Sequence, residues 1–251
     1  MTKLAIITGG SRGLGRNSAL TLADKGLDVL ITYHNNQNAA DEVVEAIRQK
    51  GQKAAALQLD VGQTSQFNAF AETVKESMQN YFGCEQFDVL INNAGAGIHV
   101  PFIETTEEQF DLLMNTHLKG TFFLTKALLP LLRDGGRIIN TSSGLARFSL
   151  PGYSAYAVMK GGIEVLTRYL AKELGPRQIR VNTLAPGAIE TDFGGGVVRD
   201  NQELNKMIAS QTALGRVGLP DDIGKAVAML VSDESSWVTG QRIEASGGMF
   251  L

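Results

Sequence analysis

Residues 8–15 read TGGSRGLG and end a short apolar run that begins at Leu4. Residues 4–8 have the composition of a β-strand, and residues 17–25 after the glycines fit a helix. A glycine-rich turn between a strand and a helix lets the backbone approach a bound group, and the helix N-terminus offers unpaired N–H groups to an anion. The segment therefore predicts a strand–turn–helix unit that binds a diphosphate at the edge of an open parallel sheet.

Two common phosphate-binding motifs fit this turn less well. A P-loop requires Lys and then Ser or Thr after its second glycine, whereas Gly15 is followed by Arg16 and Asn17. The strict G-x-G-x-x-G fingerprint fails because Ser18 stands where its last glycine belongs. The observed spacing is T-G-x3-G-x-G. On this motif alone, a tight turn without a ligand remains the alternative interpretation.

Short β-rich runs alternate with helical patterns along the whole chain. Two of the helical patterns, residues 38–50 and 66–78, carry apolar residues at helical spacing. This alternation predicts an α/β fold of the Rossmann type, with a doubly wound seven-stranded parallel sheet that has helices on both faces. We expect one domain over residues 1–251, and an irregular functional loop at residues 186–200. The predicted strands are residues 4–8, 29–32, 54–59, 89–91, 137–141, 179–184 and 241–244.

The composition narrows the class of protein further. Of the 251 residues, 43% are hydrophobic, and 23 Lys and Arg against 26 Asp and Glu give a net charge of -3, so no basic nucleic-acid or membrane surface is predicted. The apolar stretch 122–132 is shorter than the ~18 residues of a membrane span. Residues 4–7 are too few for a signal-peptide core, and the single Cys84 allows no intrachain disulfide. We expect a cytoplasmic protein with no metal site.

The tip of the second predicted strand indicates which dinucleotide binds. Residues 32–36 read TYHNN and lack the carboxylate that would bind the ribose hydroxyls of NAD. Arg12 in the glycine turn could instead meet a 2′-phosphate, with His34 and Asn35 as further donors. This pattern favours NADP(H). The alternative is that His34 and Asn35 are solvated turn residues.

A tyrosine and a lysine four residues apart suggest acid–base chemistry. Tyr156 and Lys160 share one face of a predicted helix that runs to about Leu174. A phenol with a pKa near ~10 is a poor acid or base at neutral pH, and a nearby ammonium lowers that pKa. Upstream, Ser143 follows the predicted strand 137–141, at the sheet edge where ligands bind. Taken without this context, a surface Tyr–Lys pair is an equally good interpretation.

Five motifs together resemble the short-chain dehydrogenase/reductase family, in its order and spacing and over essentially the whole chain. They are the glycine turn 8–15, the NNAG sequence at 92–95, Ser143, the Y-x3-K pair 156–160 and the PGxIxT pattern at 186–191. Residues 238–248 are similar to the family's last strand and its closing glycines. Each motif alone could occur by chance. Five motifs in the family's order are together highly specific, so chance does not explain the whole pattern.

The resemblance implies a role for each motif. Tyr156 would be the general acid for carbonyl reduction, Ser143 would hydrogen-bond the substrate oxygen, and Lys160 would bind the nicotinamide ribose and support the phenolate. Asp60 and Val61 look like the adenine clamp. Together with the residues at the strand tip, the expected cofactor contacts are Gly9, Ser11, Arg12, Gly13, Leu14, Gly15, His34, Asn35, Asp60, Val61, Asn93, Ala94, Gly95, Tyr156, Lys160, Pro186, Gly187, Ile189 and Thr191.

The sequence departs from the family at one active-site position. The family pattern places Asn directly before Leu-x-Gly, as part of a proton relay, whereas His117 precedes Leu118 here. An imidazole has a donor and an acceptor nitrogen, so His117 could replace that Asn in the proton relay as a fourth catalytic residue. The alternative is a helix residue with no chemical role. A smaller departure is Ser246, where the family often has Asp.

We therefore expect an NADP(H)-dependent oxidoreductase that moves a hydride between the nicotinamide and a carbonyl or secondary alcohol carbon of a small molecule. A non-catalytic nucleotide sensor or partner-binding protein on the same fold is the alternative, and a methyltransferase or flavin protein is a third. Pocket walls are expected at residues 96–102, 145–153 and 189–198, with Arg147 as an anion partner. No nucleic-acid or membrane partner is expected.

The resemblance also implies a homotetramer. The expected interface lies on the helices near residues 110–132 and 153–174 and on the carboxyl-terminal segment. The apolar side chains that could serve it, or could equally belong to the core, are Phe122, Phe123, Leu166 and Met249.

Overall fold

The computed structural model describes residues 2–251, in which seven parallel strands form one sheet with the order β3-β2-β1-β4-β5-β6-β7. The predicted fold class and all seven predicted strands are confirmed. The fifth strand begins at Leu132 rather than at Arg137. Leu132 pairs with Phe87 of the fourth strand, and the register then shifts before Arg137 pairs with Val89. The strands are β1 Leu4–Ile7, β2 Asp28–Tyr33, β3 Ala54–Gln58, β4 Phe87–Asn92, β5 Leu132–Thr141, β6 Arg180–Pro186 and β7 Arg242–Ala245.

Helices connect the strands, and side-chain caps fix where two of them begin. Asn36 accepts a hydrogen bond from the N–H of Ala39 at 3.0 Å, and Thr106 forms a capping box with Gln109. The helices are α1 Gly13–Asp24, α2 Gln37–Gln49, α3 Phe67–Ser77, α4 Glu107–Leu113, α5 Gly120–Leu128, α6 Ser154–Leu174, α7 Val197–Asp200, α8 Gln202–Ser210 and α9 Pro220–Val231. A π-helical segment, Met114–Lys119, joins α4 to α5.

The sheet has a hydrophobic core on each face, since successive strand residues point to opposite sides. In β1, Ala5 and Ile7 pack with α1, α2 and α9, whereas Leu4 and Ile6 pack with α3, α5 and the end of α6. All four side chains are at most 1% exposed. Strands buried on both faces read as continuous apolar runs, which explains the LAII sequence of β1.

A chain of buried polar side chains crosses the centre of the sheet. The side chain of Asn92 on β4 donates to Thr125 at 3.0 Å and to Asn140 on β5 at 2.8 Å. The amide of Asn140 donates to Thr167 on α6 at 2.9 Å, and the Thr183 hydroxyl of β6 donates to Thr167 at 2.8 Å. These bonds fix α6 against the middle of the sheet.

The parallel arrangement brings the predicted motifs to one edge. The glycine turn follows β1, residues 93–95 follow β4, Ser142 and Ser143 follow β5, and residues 187–191 follow β6. Ligands bind at the carboxyl ends of parallel strands, at the point where the strand order reverses, which is between β1 and β4 here. The fold therefore predicts the site at this edge.

The stretch predicted as an irregular loop, residues 186–200, is partly ordered. It contains a 3₁₀ turn at Phe193–Gly196 and the short helix α7. The three consecutive glycines have φ values of +62°, +79° and +78°, a backbone conformation that residues with a Cβ rarely adopt. Within residues 2–251, every helix is too short or too polar to cross a membrane.

The polar chain at the sheet centre is expected to contribute to stability. Asn140→Ala removes an acceptor from Asn92 and a donor from Thr167 at a position that is 0% exposed. We expect the free energy of unfolding to fall by about 2–4 kcal/mol, as measured by urea denaturation. Thr73→Ala removes an exposed hydroxyl bond to Ala69 and is the control, with an expected change within about 0.5 kcal/mol. Equal effects of the two substitutions would contradict this prediction.

Candidate active site

The glycine turn is folded tightly against the end of β4. Gly9 has φ +65°, and a Cβ at this residue would lie 2.9 Å from the Cα of Ala94. A Cβ at Gly15 would lie 2.2 Å from the carbonyl oxygen of Gly9. Both contacts are shorter than real Cβ atoms allow, so glycine is required at these two positions.

Side chains directly after β1 and β4 hold the two segments together. The Thr8 hydroxyl accepts hydrogen bonds from the N–H groups of Asn93 and Ala94, both at 2.9 Å. The Asn93 amide donates to the carbonyl oxygens of Thr8 and Gly9 at 2.9 and 3.2 Å. Asn93 and Ala94 thus support the glycine turn, and Gly95 follows them next to His117.

The start of α1 is suited to an anion. Arg12 is the N-cap residue, and its side chain forms no capping bond. The first N–H groups of a helix, here those of Gly13, Leu14 and Gly15, lack partners within the helix. Gly13 faces Thr191 across the turn, where a Cβ would come within 3.7 Å of the threonine. This set of N–H donors fits the diphosphate of a dinucleotide.

The tip of β2 lies beside the end of β3. Arg12, His34 and Asn35 are exposed, and Ser11 is half-buried. His34 Nε2 lies 3.6 Å from a carboxylate oxygen of Asp60. The other oxygen of Asp60 accepts from the N–H of Gly62 at 2.8 Å, which fixes the turn that contains Val61. The structure thus brings His34, a predicted 2′-phosphate residue, next to Asp60, a predicted adenine residue, at this edge.

Tyr156 and Lys160 are buried on the first turns of α6, with 7% and 4% exposure. Burial raises the pKa of the Tyr156 phenol above its ordinary value, although the nearby Ser143 hydroxyl acts in the opposite direction. Burial lowers the pKa of Lys160 to about 7. The Lys160 ammonium donates to the carbonyl oxygen of Thr141 at 2.7 Å and lies 5.5 Å from the centre of the Tyr156 ring.

This arrangement corrects one expectation from the sequence. The four-residue spacing does place Lys160 beside Tyr156, but the ammonium does not bring the tyrosine pKa below its ordinary value, because burial dominates. The phenol is therefore protonated at neutral pH. A protonated hydroxyl next to Ser143 can donate a proton to an oxygen.

His117 lies in the π-helical segment, buried against Tyr156. The two rings meet edge to face with centroids 5.1 Å apart. His117 Nε2 lies 2.6 Å from the carbonyl oxygen of Ala96 and 3.3 Å from the Ala96 nitrogen, so the backbone of Ala96 offers this ring nitrogen both an acceptor and a donor. Within residues 2–251, the buried Nδ1 atom has no hydrogen-bond partner. Burial and the nearby Lys160 lower the pKa of His117 to about 3, so the ring is neutral.

The segment after β6 closes the site from the other side. The N–H of Gly187 donates to Ala245 of β7 at 3.1 Å, and Ile189 pairs with Gly218. Thr191 is 8% exposed and accepts from the N–H of Phe193 at 3.2 Å. The Phe193 ring lies 6.0 Å from that of Tyr156. Residues Pro186 to Thr191 thus reach the glycine turn, and Phe193 reaches the catalytic tyrosine candidate.

The structure corrects the expectation for Arg147 and favours the core alternative for Met249. Arg147 is not free to bind an anionic substrate, because it donates to both carboxylate oxygens of Glu244 and to the carbonyl oxygens of Met249 and Phe250. Met249 is 4% exposed and packs with Ile208 and Val217, so it belongs to the core of the subunit. Phe122 and Phe123 remain exposed, at 47% and 41%.

Sequence reasoning also missed a functional candidate on α6. Glu164 follows Tyr156 and Lys160 at the same four-residue interval and hydrogen-bonds Ser142 and Arg242. The signals in the sequence that could have identified Glu164 are this four-residue interval and the charged residues Arg242 and Glu244 in a strand of the central sheet.

Known proteins share this architecture. A family model described as enoyl-(acyl carrier protein) reductase matches residues 9–250. The 3-oxoacyl-(acyl-carrier-protein) reductase FabG of Staphylococcus aureus (strain Mu50) is 38% identical over 253 residues, which cover 100% of this chain and 99% of the relative.

Two solved structures are similar to the structure of this protein over almost their full length. The promiscuous reductase LugOII, described as catalysing keto-reduction at C1 during lugdunomycin biosynthesis, has a TM-score of 0.93 and 37% identity, with 98% of this chain and 96% of that chain covered. The angucycline C-6 ketoreductase LanV with bound NADP has a TM-score of 0.93 and 34% identity, with 99% and 95% covered. The chain belongs to the short-chain dehydrogenase/reductase family.

Proposed function

We propose that this protein is an NADP(H)-dependent oxidoreductase that interconverts a carbonyl group and a secondary alcohol on a small molecule. The observation that carries the proposal is the buried Tyr156, which lies near Ser143 and beside Lys160 at the ligand-binding edge of the sheet. A proton donor in this position, next to a dinucleotide-binding turn, matches what carbonyl reduction requires.

The residues present fit the dinucleotide. The N–H groups of Gly13, Leu14 and Gly15 would bind its diphosphate, and Asp60 and Val61 would lie along the adenine. Arg12, with His34 and Asn35, would bind the 2′-phosphate that distinguishes NADP from NAD. Residues 93–95 and 186–191 would line the remainder. The bound NADP of LanV supports this assignment.

The chemistry divides between the cofactor and the chain. NADPH supplies the hydride when bound, and the chain supplies orientation and the proton. Ser143 would hydrogen-bond the carbonyl oxygen, and Tyr156 would donate its hydroxyl proton to that oxygen as negative charge develops there. Lys160 would bind the nicotinamide ribose and stabilise the phenolate left on Tyr156. Ser143 and Tyr156 would therefore act at the same oxygen atom, and Lys160 would act through Tyr156 and the ribose.

His117 would return the proton. Its Nδ1 atom is an unpaired ring nitrogen, and the His117 ring lies against that of Tyr156 and near Lys160. A buried acceptor without a partner is costly unless a water or a donor meets it. We assign it to hold the water through which Lys160 and then Tyr156 are reprotonated. A neutral imidazole suits this task because its two nitrogens have fixed and opposite roles.

The relatives indicate that the reactive group of the substrate is a carbonyl. The reductases FabG, LugOII and LanV all act on ketones according to their names, which supports reduction as the direction of interest. The proposal is tested by following NADPH consumption with acetoacetyl-coenzyme A, 1-tetralone, ethyl pyruvate and a keto sugar. Binding of NADPH without turnover of any carbonyl would favour a nucleotide sensor instead.

Assembly and location are part of the proposal. The exposed Phe122 and Phe123 on α5 and the half-buried Leu166 on α6 support a homotetramer through these two helices. The absence of a spanning helix within residues 2–251 fits a cytoplasmic enzyme.

The first prediction concerns the choice of cofactor. We expect kcat/KM to be at least roughly tenfold higher with NADPH than with NADH, since a charge-assisted bond to the 2′-phosphate contributes about 1.5–3 kcal/mol. Arg12→Ala should remove most of this preference and leave the NADH value unchanged. Arg16→Ala removes an exposed arginine one turn further along α1 and is the matched control. A wild-type protein that works equally well with NADH would contradict the assignment.

The second prediction concerns the proton donor. Tyr156→Phe keeps the ring and its contacts with His117 and Phe193 but removes the hydroxyl. We expect kcat to fall by about 100-fold or more, because general acid catalysis is typically worth 10²- to 10⁴-fold. The dissociation constant of NADPH, measured by fluorescence, should change by less than about twofold. Turnover at the wild-type rate would show that another group donates the proton.

The third prediction separates a relay from a helix residue at His117. We expect His117→Ala to slow turnover by about tenfold, and His117→Asn to restore most of the rate because an amide also offers an acceptor. Melting temperatures of both variants serve as the control for misfolding. If alanine leaves kcat and its pH profile unchanged, His117 has no chemical role.

A further inference from the structure

Four charged side chains are joined by ion pairs next to the loop that carries Ser143. They are Arg147 on that loop, Glu164 on α6, and Arg242 and Glu244 on β7. Two positive and two negative groups give the cluster no net charge. The side chains of Glu164, Arg242 and Glu244 are 14%, 22% and 17% exposed and are largely shielded from water, whereas Arg147 at the edge of the cluster is 35% exposed. None of the four is assigned to the cofactor or to the proton transfer.

Arg242 connects three segments of the chain through one guanidinium group. Its Nε donates to Glu164 at 2.7 Å, and its Nη1 donates to Glu244 at 2.6 Å. Its Nη2 donates to the main-chain carbonyl oxygen of Ser143 at 3.3 Å. The planar guanidinium has its donors in fixed directions, so these contacts define where the Ser143 backbone lies relative to α6 and β7.

Glu164 holds the same loop one residue earlier. Its Oε1 atom accepts from the Ser142 hydroxyl at 2.8 Å as well as from Arg242. Because Glu164 follows Tyr156 and Lys160 at four-residue intervals, it lies on the same face of α6. The helix that carries the proton donor is therefore bonded directly to the serine loop.

Arg147 and Glu244 form a second attachment further along the loop. Arg147 donates to the two oxygens of Glu244 at 2.7 and 2.8 Å. Ser246, where the family often has Asp, donates to Glu244 at 2.7 Å. These contacts lower the pKa of Glu244 to about 2, so it stays ionised. The loop is thus attached on both sides of Ser143.

The Ser143 hydroxyl depends on this support because its own backbone is at the end of a strand. Ser143 is extended, with φ -157° and ψ 154°, and its hydroxyl caps the 3₁₀ turn of Gly144–Ala146 by accepting from the N–H of Leu145 at 3.2 Å. The hydroxyl direction follows the backbone that Arg242 contacts. A shift of about 1 Å in a group that orients a substrate can cost on the order of 100-fold in rate.

We propose that Arg242 and Glu164 are positioning residues that fix the Ser143 hydroxyl relative to Tyr156 by bonding the serine loop to β7 and α6. This inference rests on the proposed role of Ser143 in carbonyl reduction. Arg242 and Glu164 touch no reacting atom, and they act only through the serine loop. Their removal therefore matters only while the Ser143 hydroxyl is present.

A double-mutant cycle tests this dependence. The paired change Arg242→Met with Glu164→Gln removes the bridge without leaving an unpaired charge, and it is combined with Ser143→Ala. With 1-tetralone or whichever carbonyl of the panel turns over fastest, we expect the paired change to lower kcat roughly tenfold when Ser143 is present and less than about twofold in the Ser143→Ala background. The dissociation constant of NADPH should change less than about twofold in every protein.

Arg177→Met is the matched control. Arg177 also joins a carboxylate, Asp134, to two main-chain carbonyls, those of Leu129 and Leu132, but at the opposite end of β5. We expect it to lower the melting temperature without changing kcat. If the paired variant does not fold, Arg242→Lys replaces it in the same cycle, with a smaller loss that again depends on Ser143.

The outcomes separate this inference from the proposed function. If Ser143→Ala alone leaves kcat unchanged, the proposed function is wrong at that residue. If Ser143→Ala lowers kcat but the paired change has equal effects in both backgrounds, or no effect, the positioning role is overturned and the reaction assignment stands.

Discussion

The position of the whole site depends on the parallel pairing of β4 with β5. Asn92 and Asn140 are register partners on these two strands, and their side chains are hydrogen-bonded to one another at 2.8 Å in the buried centre. This pair of residues thereby fixes where two loops of the site begin. Residues 93–95 follow β4, and Ser142–Ser143 follow β5. A slip of one residue between the strands would break this buried hydrogen bond, and a buried bond is costly to leave unmade.

The active site is assembled at an electrostatic cost. Tyr156, Lys160 and His117 are all nearly buried, and burial shifts each pKa towards the neutral form. None of the three has an ion-pair partner among residues 2–251. Lys160 relies on the carbonyl of Thr141, and His117 relies on that of Ala96. Such a site is held by its scaffold. Lys160, with its pKa lowered to about 7, is the member of the three whose two protonation states are both accessible at neutral pH.

The sequence predicts the sheet, its seven strands and the positions of the chemical groups, because glycine turns and apolar runs are local signals. It does not predict the partners of the charged side chains. Arg147 looks like an anion-binding residue by its place in the chain, yet the structure pairs it with Glu244, which is almost 100 positions away. Likewise, the pKa of Tyr156 depends on how many atoms surround it, and spacing along a helix does not report burial.

The π-helical segment at Met114–Lys119 has a consequence for how this helix tolerates change in length. A π turn accommodates more residues than an α turn, so it is equivalent to a residue inserted into an α-helix. Because the extra residue is taken up within one turn, deleting it would restore a regular helix and leave α4 and α5 facing as they do now. Leu113, which directly precedes the segment, would keep its place in the cluster with Tyr156. A second inserted residue would instead rotate α4 by about 100° relative to α5, so we expect this segment to tolerate the loss of one residue better than a gain.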